Sequence, residues 1–141
     1  MAIPTTDPLD AVHAFLRQDF DTYHQLVAQV DSRQLGLATV TAFFLAASRV
    51  FEDGTIGDII GFVARTRQRY DNTGDEYDPR AAERLIRAAA FDDEDLIDGI
   101  DQYTLGRVQT VMLSAMVEEA RWDASELEEF LSEVRALMAN R

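Results

Sequence analysis

Few side chains in this sequence could do chemistry, and their spacing narrows the choice further. There is no cysteine, so disulfides, thiolate metal sites and thiol nucleophiles are ruled out. All 13 basic residues are arginine, so no lysine is present to form a Schiff base or to serve a phosphate loop. His13 and His24 are the only histidines. On one continuous helix they would share a face but stand about 16 Å apart by helical rise, too far to chelate one metal. No GxSxG elbow and no glycine-rich phosphate loop occur, and Ser and His fall in no triad-like arrangement.

The acidic runs invite a calcium test, which they fail. An EF-hand loop needs acids at positions 1, 3 and 5, Gly at 6 and Glu at 12. Aligning Gly99 to position 6 puts Leu96 at position 3, and starting at Asp71 puts Glu76 where the glycine belongs and Ala82 at the last ligand. A carboxylate di-iron site would need Glu-x-x-His on helices facing a core, and that motif is absent. No cofactor or metal is implied, and the reading is non-enzymatic.

Three constellations remain. Asp92, Asp93, Glu94, Asp95 and Asp98, followed by Asp101, form an acidic segment. It is either helix capping with a solvated face or a docking site for a basic partner. Arg65 and Arg69 share one helical face, as do Arg80, Arg84 and Arg87. They would form an anion site if the two helices met, or else pair with this chain's own carboxylates. Phe43, Phe44, Met112, Met116 and Trp122 would line a ligand cavity between the two halves of the chain, or would be ordinary core.

The net charge of −13 disfavours DNA, RNA and anionic membrane as partners, because like charges repel at range, and admits a basic protein. The segment MAIPTTDP is neither basic nor apolar enough for a signal peptide. The uncharged run 34–48 is shorter than the about 20 residues that span a bilayer. A cytoplasmic protein is expected.

The elements that must position these residues read as helices. Proline is scarce, with only Pro4, Pro8 and Pro79. The stretch Arg33 to Phe51, RQLGLATVTAFFLAASRVF, carries no charge between Gln34 and Ser48, which predicts a central helix buried on every side. Within it Leu37, Phe44 and Phe51 recur every seven residues. They would meet a second subunit in a homodimer or else lie inside the monomer. Before it, Asp7-Pro8 opens an amphipathic helix that Asp19-Phe20-Asp21 would break. After it, Asp53-Gly54 turns the chain into a helix whose buried stripe would be Ile56, Ile59, Ile60 and Val63. Asp78-Pro79 opens the next helix, with Leu85 and Ile86 inward. A short acidic helix follows, then a long helix from about Asp101. Asp123 and Glu126 make a capping box for the last, which would bury Leu127, Phe130, Leu131, Val134, Leu137 and Met138.

The fold class is therefore all-α, a bundle of about seven to eight helices. The second half echoes the first with a period of about 70 residues, which suggests two tandem pseudo-symmetric half-bundles. Asp7-Pro8 matches Asp78-Pro79, Phe20-Asp21 matches Phe91-Asp92, and Leu35-Gly36 matches Leu105-Gly106. After a slip, Ile56, Ile59, Ile60 and Val63 fall on Leu127, Phe130, Leu131 and Val134. The organisation would be a loose tail over 1–6, a first half over 7–70, an acidic linker over 71–77 and a second half over 78–139. The function expected is protein–protein interaction or regulation, with an acidic inhibitor or immunity-type protein that docks a basic partner as one form. The alternative is a bundle that binds a small ligand or effector between the halves.

Overall fold

The computed structural model describes residues 7–70, 78–91 and 94–139. The chain is all-helical. Its order is α1 (Pro8–Leu16), α2 (Phe20–Val27), α3 (Ser32–Val50), α4 (Ile56–Tyr70), α5 (Pro79–Phe91), a 3-10 helix (Glu94–Ile97), α6 (Gln102–Ala120) and α7 (Ala124–Ala139). The tail 1–6 and the linker 71–77 expected from the sequence lie outside the described residues.

Capping sets each start. Asp7, Asp31 and Asp78 accept the amide two residues on, from Leu9, Arg33 and Arg80. Asp19 and Asp101 accept from Thr22 and Thr104. Thr55 and Asp58 bond each other's amides, as do Asp123 and Glu126, so α4 and α7 both open on a reciprocal capping box. α1 and α2 are separate helices: α1 stops where Gln18 enters the left-handed region at φ 62. His13 and His24 thus sit on different helices, not on the single helix that would have aligned them.

The helix starts line up between the two sequence halves in a register that differs from the one expected. Asp31 and Asp101 start 19-residue helices. Their buried positions correspond pairwise as Ala38/Val108, Ala42/Met112, Phe43/Leu113, Ala46/Met116 and Ala47/Val117. For the last helices the boxes align Thr55 with Asp123. Buried Ile59, Phe62, Val63 and Thr66 then match buried Leu127, Phe130, Leu131 and Val134. Of the stripe expected on α4, Ile59 and Val63 are buried, whereas Ile56 and Ile60 are 45% and 47% exposed. Phe62 and Thr66 take the inward places, and the Thr66 hydroxyl is satisfied within the helix by donating to the Phe62 carbonyl at 2.9 Å. Leu137 also points outward, 45% exposed, one turn beyond the end of the α7 stripe.

α3 is not buried on every side. Its inward residues are Ala38, Thr41, Ala42, Phe43, Ala46 and Ala47. Arg33, Gln34, Gly36 and Ser48 are exposed. Its threonines satisfy their hydroxyls within the helix: Thr39 and Thr41 donate to the carbonyls of Leu35 and Leu37.

Contacts group the chain differently from its sequence halves. One unit joins the chain up to Ala42 with the run from Arg121, and the other is the continuous run Phe43–Ala120. In the first, α1 packs on α2 and on α7. Asp7 pairs with Arg135, and Trp122 packs tilted against Phe130 at 4.9 Å between centroids. In the second, α5 packs on α4, α6 and the 3-10 helix, and Phe51 meets Phe62 edge-on at 5.5 Å. Since α1 corresponds to α5 and α7 to α4, the last helix of each sequence half packs on the first helix of the other.

The corrected register has a direct check. Phe62→Ala and Phe130→Ala should each lower unfolding free energy by about 3–5 kcal/mol in urea denaturation, as full burial of both rings requires.

Candidate functional site

The acidic segment and the arginines lie in the unit Phe43–Ala120, so their placement can be read together. Asp92 and Asp93 lie outside the described residues, as does the side chain of Glu94. Asp95 and Asp98 are exposed. They shape the short 3-10 helix, with the Asp98 amide donating to the Asp95 carbonyl at 3.3 Å. Gly99 leaves it at φ +85, a conformation that a side chain at that position would strain. Asp101 then caps α6, its carboxylate taking both the amide and the hydroxyl of Thr104 at 3.0 and 2.7 Å. The bond from the Thr104 amide, and then that from its hydroxyl, hold the Asp101 carboxyl below its ordinary value.

The arginines are engaged inside the chain. Arg65 reaches Glu119 at 2.6 Å. Arg69, one turn on, reaches Glu118 at 3.5 Å and Glu119 at 3.7 Å. These links tie α4 to the end of α6 on the surface, and by geometry each is a solvent-screened pair of small energetic weight. Arg84 donates to the Asp98 carbonyl at 2.8 Å, closing the C-terminal side of the 3-10 helix. Arg80 is exposed at the start of α5. Arg65, Arg69 and Arg84 therefore serve carboxylate and carbonyl oxygens of their own chain, and the expected anion site is not assembled from them.

The face Leu37, Phe44 and Phe51 is not a common surface. Phe51 is 5% exposed and packs against Phe62, so it belongs to the chain's own core. Leu37 and Phe44 are half-buried, and Phe44 meets the buried Phe43 ring edge-on at 5.8 Å. Of the residues proposed to line a ligand cavity, Phe43, Met112 and Met116 are each fully buried, and Trp122 is half-buried against Phe130.

Exposed aromatics are the feature that the sequence reading missed. Tyr103, in the first turn of α6, is 76% exposed, and Phe91, the last residue of α5, is 40% exposed. The 3-10 helix with exposed Asp95 and Asp98 lies between them in the chain, and exposed Asp101 precedes Tyr103. The signal was available: Tyr103 occupies the position of Arg33 in the first half, and Phe91 repeats Phe20, itself 49% exposed.

No group of three or more His, Asp or Glu among the described residues is arranged to hold a metal ion. His13 is perturbed by its surroundings. Burial, and then the Arg17 guanidinium, hold its imidazole below the ordinary 6.5, against the pull of Glu128 and Asp10. The folded chain therefore takes up this proton later than the unfolded chain does. The resulting stability is complete above 6.5 and is lost as pH falls from there through the folded value. Scanning calorimetry should show Tm falling as pH drops below 6.5, with a shallower fall in His13→Gln.

No helix among the described residues is long and apolar enough to cross a membrane. Comparison with protein-family models, with curated proteins and with solved structures finds no match.

Proposed function

We propose that this chain is a non-enzymatic docking module that presents exposed aromatic side chains on an acidic ground to a basic protein partner. The observation that carries the reading is Tyr103, 76% exposed at the start of α6, with exposed Asp101, Asp98 and Asp95 on its N-terminal side. A tyrosine is a large anchor that loses little entropy when a partner covers it. The carboxylates would steer a cationic surface toward it and discourage acidic competitors. The net charge of −13 acts in the same sense at long range and keeps nucleic acid and anionic lipid away. A cysteine-free sequence fits a reducing cytoplasmic setting.

The test is capture from lysate of the source cell on immobilised protein, at low and at high salt. The expected result is a basic protein retained at low ionic strength. It should be lost with Tyr103→Ala and weakened with Asp95→Asn/Asp98→Asn, while circular dichroism stays unchanged. Equal retention of that protein by all three forms would overturn the reading.

A further inference from the structure

The outward face of α4 does not fit a helix that simply meets water. Its inward stripe is Ile59, Phe62, Val63 and Thr66. Ile56 and Ile60 stand one turn apart on another face, 45% and 47% exposed, and exposed Ala64 and Arg67 continue their line. The molecule contains its own control. In α7, which has the same cap and the same buried phase, the positions of Ile56, Ile60 and Ala64 are held by Ala124, Glu128 and Ser132. That is an ordinary solvated face. Isoleucine is a poorer helix former than alanine or glutamate, so local helix stability does not account for the exchange. Burial would.

The charges around the stripe say what covers it. Glu52 and Asp53, both exposed, lie in the turn that leads into α4, and Arg67 lies at the far end of the stripe. Asp53 and Arg67 are each seven residues from Ile60. The pairs of Arg65 and Arg69 with Glu119 and Glu118 occupy a different side of the helix. In a chain of net charge −13, most surfaces of two copies repel. Here an antiparallel approach sets acid against base at both ends, whereas a parallel one sets like against like. Exposed Gly57 beside the stripe has only the Thr55 hydroxyl, at 3.5 Å, near the place of a Cβ, so a second helix can come close.

We propose that two copies of this chain associate through α4. The helices would run antiparallel about Ile60, with Ile56, Ile60 and Ala64 of each copy against the same residues of the other. Asp53 of one copy would lie opposite Arg67 of the second. The contact is isologous and closes as a dimer. It is independent of the docking role assigned to Tyr103, which sits on α6.

Light scattering coupled to size exclusion, over a range of loading concentrations at low salt, decides the matter. Twice the 15.9 kDa chain mass is expected at the upper end. Ile60→Glu should give the monomer with unchanged helicity, since the side chain it replaces is outside the core. Asp53→Arg and Arg67→Asp should each raise the dimer Kd by about tenfold, and the two together should restore it. A wild-type chain that stays monomeric throughout, a dimer that survives Ile60→Glu, or single charge variants without effect would overturn the proposal.

Discussion

The hydrogen bond between a side-chain oxygen and the free amides at a helix start governs this molecule. Each of the seven α-helices begins on one, from Asp7, Asp19, Asp31, Thr55, Asp78, Asp101 or Asp123. A cap satisfies an orphan donor and places a negative charge at the positive end of the helix dipole. It also fixes phase. Once the first residue is set, 3.6 residues per turn decides which side chains face inward. Thr55 and Asp123 thus put their buried residues at identical distances along α4 and α7, and Asp31 and Asp101 do so for five pairs in α3 and α6. The correspondence between the two halves is therefore a correspondence of caps first and of core residues second.

This changes how the acidity should be weighed. Six of the seven caps are aspartates, and Asp58 and Glu126 complete the two reciprocal boxes. Glu118 and Glu119 hold Arg65 and Arg69. A sizeable share of the carboxylates is thus structural, and raw net charge overstates what is offered to a partner. Between the 3-10 helix and α6, the carboxylates without such a duty are Asp95 and Asp98, with the exposed ring of Tyr103 nearby in the chain. The arginines divide in the same way. Arg84 closes the 3-10 helix, while Arg67 stands on an apolar stripe facing outward.

Helix starts were legible in the sequence because Asp-Pro, Asp-Ser and Asp-x-x-Glu are local chemistry. So were the inward faces of α5 and α6, where Leu85, Ile86, Val108, Met112 and Met116 are all buried. α4 was misread because hydrophobicity ranks isoleucine above threonine, while Thr66 can be buried at no loss once its hydroxyl bonds the turn before it. α3 was misread for a related reason, since absence of charge is not the same as burial when threonines satisfy themselves. The pairing of helices was not legible at all. Which helix meets which is a matter of topology, and nothing in the local pattern near Asp7 announces Arg135. Tyr103 escaped notice because a single aromatic reads as core until its exposure is known.

The exchange of last helices bears on how the chain acquires its shape during synthesis. The unit Phe43–Ala120 is one unbroken run, so all of its helices are synthesised before α7. The other unit must wait. Leu9, Ala11, Val12 and Ala14 on α1 are buried in the folded molecule, yet α7, a packing partner of α1, is translated after every other described helix. Through most of elongation α1 and α2 emerge with apolar surface that lacks this cover, at the stage when nascent chains are most prone to wrong associations. The segment made first is thus completed after the segment made second.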